Sequence, residues 1–217
     1  MTKAPPQSDV WSGAFGAAYT ARNTFDGDEL DAFYLREWGV TRADMNRQVI
    51  GGLDRGLRIL EVGCNIGNQL SVLTEMGFRN LYAIELQADA ARQARERVPA
   101  ANIVQGSAFD IPFKDGWFDL VFTSGVLIHI APDDLPTVMR EVHRCTRRYV
   151  WGFEYYETAF REIPYRGHAQ LMWKGPYCAR YREVCPNLAV VTEARFPYTY
   201  NDNVDAMFLL EKSGVGS

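Results

Sequence analysis

Between Ile59 and Gln69 the sequence reads Ile-Leu-Glu-Val-Gly-Cys-Asn-Ile-Gly-Asn-Gln, an apolar strand that runs into the small residues Gly63, Asn65 and Gly67 and restarts as a helix. That junction leaves the chain few options. The backbone must turn sharply and open a helix whose free N–H groups face the turn, an arrangement that suits a nucleoside. The next acidic strand end is Glu85, twenty-two residues past Gly63. At that spacing a carboxylate on the second strand can accept hydrogen bonds from both ribose hydroxyls. An ordinary tight turn in an α/β protein is the alternative, and the rest of the chain weighs against it.

The order of elements sets the fold class. Asn68 to Met76 reads as a helix stopped by Gly77, Leu81 to Glu85 as a strand, and Ala88 to Val98 as a helix ended by Pro99. A short strand at Asn102 to Val104 precedes the loop Gly106 to Phe113 and the strand Trp117 to Thr123, whose unbroken apolar character suits burial on both faces. From Asp133 to Thr146 apolar residues recur at helical spacing, and Arg148 to Glu154 is the fifth strand. Alternating strands and helices predict an α/β, doubly wound, mostly parallel sheet of seven strands with its site at the carboxyl ends of the strands. We expect a single domain over residues 1–217: a helical cap at 1–55, a core at 56–156, an acceptor-site insertion at 157–187 and a strand pair at 188–212.

Composition excludes several classes. The formal net charge of −4 argues against a nucleic acid partner, which would need clustered Lys and Arg. Arg140, Arg144, Arg147 and Arg148 fall at the end of a predicted helix and suit its dipole. No apolar run approaches a membrane span and Met1-Thr-Lys-Ala-Pro-Pro lacks a signal peptide's apolar stretch, so a cytoplasmic protein is expected. Four scattered cysteines form no Cys-x-x-Cys pair and suggest neither a metal site nor a disulfide framework.

The turn also indicates which nucleoside. A dinucleotide fingerprint needs Gly-x-Gly-x-x-Gly, whereas this chain has Glu61-x-Gly63-x-Asn65-x-Gly67. That run resembles motif I of the class I S-adenosylmethionine-dependent methyltransferases, Glu/Asp-x-Gly-x-Gly-x-Gly, whose turn holds the amino acid end of the cofactor. Asn65 replaces the middle glycine and tolerates a left-handed backbone, and its carboxamide can donate to the methionyl carboxylate. The resemblance implies S-adenosylmethionine as cofactor and Glu61, Gly63, Asn65, Gly67, Glu85 and Leu86 as its contacts. Gly106-Ser107-Ala108 through Phe113, with Phe118-Asp119, is similar to the family run that meets the adenine. It implies Ser107 or Ala108 as that contact, with Asp110 as a substitute acid. Ser124, Gly125 and Val126, just past the fourth strand, are implied beside the sulfonium.

A narrower resemblance runs along most of the chain. Trp11-Ser-Gly-Ala-Phe-Gly-Ala-Ala-Tyr-Thr-Ala-Arg-Asn23, Cys64-Asn-Ile-Gly67, Gly125-Val-Leu-Ile-His-Ile130, Glu154-Tyr-Tyr156 and Ile163-Pro-Tyr-Arg-Gly-His168 look like the methylases grouped as pseudaminic acid biosynthesis-associated. This implies a small, sugar-derived acceptor. Trp11, Phe15 and Tyr19 recur every fourth residue, either packing on the domain or forming a lid completed by Tyr19 and Arg22 against the cofactor. Tyr155, Tyr156, Tyr165, Arg166 and Trp173 gather after the fifth strand and are expected to bind the acceptor, or else to form a dimer face.

Methyl transfer is an in-line displacement that chiefly needs positioning. A hydroxyl acceptor also needs a base, and the candidates are His129, Glu154 and His168; His129 reads equally as a structural histidine on an apolar turn. The expected activity is O-methylation of a small metabolite carrying an anionic group, which Arg166 would hold. N-methyl and carboxyl methyl transfer stay open, as do an NAD oxidoreductase and a silent nucleoside-binding partner protein. A monomer or homodimer is expected.

Overall fold

The computed structural model describes residues 6–214, so residues 1–5 of the expected helical cap and 215–217 lie outside the described residues. Four short helices come first: α1 (Pro6–Ser12), α2 (Ala14–Arg22), α3 (Gly27–Trp38) and α4 (Arg42–Ile50). Gly13 separates the first two, so the aromatic stripe expected on one helix spans a break. Trp11 still meets Phe15 and Tyr19 edge-on at 5.2 and 5.4 Å. A Cβ on Gly16 would lie 1.9 Å from the Trp11 carbonyl oxygen, so only glycine lets α2 fold back this closely.

The core alternates β1 (Arg58–Val62), α5 (Asn68–Glu75), β2 (Asn80–Glu85), α6 (Ala88–Arg97), β3 (Asn102–Gln105), β4 (Phe118–Ser124), α7 (Leu135–Cys145) and β5 (Thr146–Tyr155). After β5 come the two-residue strands β6 (Arg161–Glu162) and β7 (Trp173–Lys174), then α8 (Tyr177–Val184), β8 (Leu188–Pro197) and β9 (Val204–Lys212). Seven strands form one sheet in the order β3-β2-β1-β4-β5-β9-β8, with β9 antiparallel between β5 and β8. The first five strands are parallel. The expected seven-stranded, mostly parallel sheet is thus what forms. The chain runs outward from β1 to β3 and returns to β4 on the other side of β1. A crevice opens where two neighbouring strands lead away in opposite directions, at the carboxyl ends of β1 and β4.

The central strands feed two cores by their period of two. Leu60 and Val62 of β1 pack with Val138, Met139 and Val142 of α7, while Ile59 packs on the other face with Leu70, Leu73 and Phe78. The segment expected as one insertion at 157–187 divides. Its first part is the small β6–β7 ribbon, but α8 puts Tyr177, Cys178 and Tyr181 into the same core as α7 and is an ordinary crossover helix. Gly152, in the middle of β5, lies under Phe208 of β9, and an added Cβ would come within 2.2 Å of that ring. We expect Gly152→Ala to cost about 1–3 kcal/mol by overpacking. Urea unfolding measures it, and an unchanged midpoint would contradict this packing.

Candidate active site

Three backbone features shape the turn after β1. Gly63, Asn65 and Gly67 all have positive φ, at 78°, 48° and 84°, and a Cβ on Gly63 would meet the Val126 side chain at 2.7 Å. Asn65 holds the left-handed conformation that its residue type tolerates. Its N–H donates to Glu85 Oε2 at 2.8 Å, and Glu85 Oε1 accepts from the Gln87 N–H at 2.9 Å. The end of β2 therefore holds the turn after β1. On the other side the Thr20 hydroxyl of α2 donates to Asn65 Oδ1 at 2.8 Å, which leaves the carboxamide NH₂ free to donate.

The crevice encloses a cavity of about 530 Å³, within the ordinary range for a small-molecule site. One wall brings together Trp11, Tyr19, His129 and Tyr165, with Trp11 and His129 centroids 4.2 Å apart. The opposite wall is Tyr34 and Trp38 of α3, Phe153 and Tyr155 of β5, and Tyr198 and Asp205 flanking the β8–β9 turn. Beneath this wall Arg42 is wholly buried. It donates to Asn46 Oδ1, Tyr34 Oη and Ser124 Oγ at 3.1, 3.2 and 3.1 Å, and its guanidinium lies 4.0 Å over Phe153.

Residues 60–151 match the family model described as a methyltransferase domain. Over that stretch the chain is similar to a methyltransferase domain. An uncharacterized methyltransferase of Synechocystis is 35% identical over 89 residues, 41% of this chain and 42% of that protein. The chain thus spans well under half the length of the curated relatives it first matches. Among solved structures, the Burkholderia thailandensis 1,6-didemethyltoxoflavin-N1-methyltransferase superposes with a TM-score of 0.70 at 17% identity, covering 98% of this chain and 92% of its own. The Synechocystis magnesium protoporphyrin IX methyltransferase does so at 0.66 and 13%, covering 98% and 100%. The cofactor of such a domain is S-adenosylmethionine. Among the described residues no helix is long and apolar enough to cross a membrane.

Most of the residues expected to hold the cofactor line this cavity. Tyr19, Arg22, Glu61, Gly63 and Asn65 do so, as do Glu85, Leu86, Ser107, Ala108, Ser124 and Gly125. Gly67 does not; it caps α5 from behind the turn. Ser107 Oγ accepts from the Phe109 N–H at 3.2 Å within its own loop, and Asp110 is exposed and off the wall. Of the acceptor candidates, Tyr155, Tyr165 and Arg166 line the cavity. Tyr156 instead lies under Arg195, 3.7 Å from its guanidinium, and Trp173 is buried in the β6–β7 ribbon, because side chains alternate in direction along a strand.

The three candidate bases part company. Glu154 is buried behind the wall and accepts from the N–H groups of Val126, Leu127 and Ile128 at 3.2–3.3 Å, so it fixes the short helical turn that carries His129. His168 is exposed against Phe15, outside the cavity wall. His129 does line the cavity. Its Nδ1 lies 2.8 Å from the Leu171 carbonyl, which only accepts, so Nδ1 carries the hydrogen and Nε2 the lone pair. Burial pushes its pKa down to about 4, so the ring is neutral at pH 7.

Reasoning from the sequence missed Asp205, Trp38 and Arg42. A signal was present in each case: an acid inside the apolar run Val204 to Leu210, an aromatic run on α3, and an arginine at a helix start. Burial pushes Glu61 up to about 8, and Glu154 and Asp205 up to about 7. Above pH 6.5 His129 is mostly neutral folded or unfolded, so these three acids dominate. Each keeps its proton in the fold to a higher pH than in the unfolded chain, so stability falls as pH rises toward 8. We expect the Tm to drop between pH 6.5 and 8 and Glu61→Gln to remove part of that drop. A rising wild-type profile in thermal melts would contradict the assignment.

Proposed function

We propose that this protein transfers a methyl group from S-adenosylmethionine to a small molecule seated between the two aromatic walls. The observation that carries this is a buried, unpartnered oxygen. Glu61 is 3% exposed, lines the cavity, and its Oε2 has no hydrogen-bond partner, so a cationic donor brought there would satisfy it and displace the proton that burial keeps on it. S-adenosylmethionine fits this set: Glu61 would hold its α-amino group, the Asn65 NH₂ its carboxylate, and Glu85 its ribose. Leu86, Ser107 and Ala108 would flank the adenine, and Tyr19 and Arg22 of α2 would cover the methionyl end.

When bound, the cofactor supplies an electrophilic methyl carbon on sulfur. The chain supplies position and a dry surround. Thr20 ties α2 to Asn65, so the helix that covers the cofactor is fastened to the turn that holds it. The Ser124 hydroxyl accepts from Arg42 and keeps its own proton to donate into the cavity. Neutral His129, with its Nε2 lone pair, supports removal of a proton from a hydroxyl acceptor, although a pKa near 4 makes it a weak base.

The finer expectation, O-methylation of a sugar-derived anionic metabolite, finds support in Arg22 and Arg166 at the cavity wall. The resemblance to the pseudaminic acid-associated methylases rests partly on segments outside residues 60–151. A small cavity shared with the cofactor favours a compact acceptor in either reading. Titration calorimetry tests the cofactor assignment. S-adenosylhomocysteine should bind and NADH should not, and Glu85→Gln should weaken binding about tenfold or more. Tighter binding of NADH would overturn the reading. Labelled methyl transfer into cell extracts then separates an enzyme from a silent nucleoside-binding protein.

A further inference from the structure

Asp205 stands at the start of the antiparallel strand β9 beside Tyr155, the register partner that closes β5. It is 1% exposed, lines the cavity, and no established motif accounts for it. Its Oδ2 accepts from the Tyr198 hydroxyl at 3.3 Å, while Oδ1 has no partner. The Trp38 indole lies close enough to lower the carboxyl, yet its Nε1 stays outside hydrogen-bond geometry with any group.

The surround of this carboxylate is aromatic. Tyr34 stacks on Trp38 at 4.7 Å, Trp38 meets Tyr198 at 4.8 Å, and Tyr155 meets Tyr198 at 6.4 Å. Two protein cations act on it from outside the cavity: Arg42 lowers Asp205 from beneath the wall but spends donors on Asn46, Tyr34 and Ser124, and Lys174, 5.9 Å from the Tyr155 ring and off the lining, donates to Asn203. Glu37, which accepts from Tyr200 and pairs with Arg36 at 3.0 Å, adds a second acid at this end. Arg166, by contrast, lies over Tyr165 on the opposite wall. A buried carboxylate with an open oxygen is costly unless something donates to it. Rings around it stabilise positive charge through their faces.

We propose that Asp205 and the Tyr34–Trp38–Tyr198–Tyr155 ring form the acceptor subsite, and that it receives a protonated amine group of the methyl acceptor. This rests on the methyltransferase reading and narrows it to nitrogen-bearing acceptors. The ammonium donates to Asp205 Oδ1 and lies among the rings. A carboxylate or phosphate would be repelled by Asp205 and Glu37, and a neutral alcohol would gain the hydrogen bond without the charge.

Three probes of one skeleton test this: phenethylamine, 2-phenylethanol and phenylacetate, titrated into the wild-type protein saturated with S-adenosylhomocysteine. The amine should bind at least about tenfold tighter than the alcohol, with phenylacetate weakest. Asp205→Asn should remove that preference while leaving the S-adenosylhomocysteine affinity unchanged. Absence of amine binding, equal binding of amine and alcohol, or tighter binding of phenylacetate would each overturn the proposal, and the wild-type comparison decides this even if the variant does not fold. Failure of S-adenosylhomocysteine to bind would instead count against the methyltransferase reading, and the same three titrations on the free protein would still judge the subsite.

Discussion

The hydrogen bond from the Asn65 N–H to Glu85 is the contact on which the site depends. It joins the ends of two neighbouring parallel strands just where each gives way to a helix. One oxygen of Glu85 holds the left-handed turn and the other holds the start of α6 through Gln87. The carboxylate is thereby fixed by the backbone rather than by a salt bridge, and its remaining lone pairs face the cavity. Asn65 extends the same device outward through Thr20, so the N-terminal helices register on the turn without a covalent or ionic tie.

The floor of the cavity is electrostatically unusual. Glu61 and Asp205 line it and Glu154 sits behind it, all buried, with Arg42 among them making no ion pair within 4 Å among the described residues. A guanidinium held by neutral oxygens and a phenyl face keeps its field available to both Glu61 and Asp205 instead of neutralising one of them. Glu154 is different in kind, since three backbone N–H groups converge on it and make it part of the turn that positions His129. The loop after β4 is therefore held from below by a carboxylate and from the side by the Leu171 carbonyl.

What was legible in the sequence follows from range. The Gly63–Gly67 turn, Glu85, the loop at Ser107 and the strand-four exit declare themselves because local backbone geometry demands particular residues there. The helix at Leu135 to Cys145 was equally plain from its spacing. Glu154 misled because a strand-end acid looks the same whether it faces the cavity or the backbone of the next turn. Tyr156 and Trp173 misled because direction along a short strand depends on register, which long-range pairing sets. Asp205, Trp38 and Arg42 meet only through the tertiary fold, from segments more than 160 residues apart at the extremes.

The antiparallel insertion of β9 between β5 and β8 has an effect of its own. Running against its neighbours, β9 delivers its first residues, not its last, to the edge of the sheet where the cavity opens. The end of the cavity around Glu61, Asn65, Glu85 and Ser107 is written within residues 60–151, whereas the opposite wall draws Tyr34 and Trp38 from α3 and Tyr198 and Asp205 from the final hairpin to the end of β5. Two determinants occupy one cavity but separate stretches of the gene. Variation in α3 or in the final hairpin can reshape that wall while the Gly63–Gly67 turn and Glu85, encoded in the middle, are left alone.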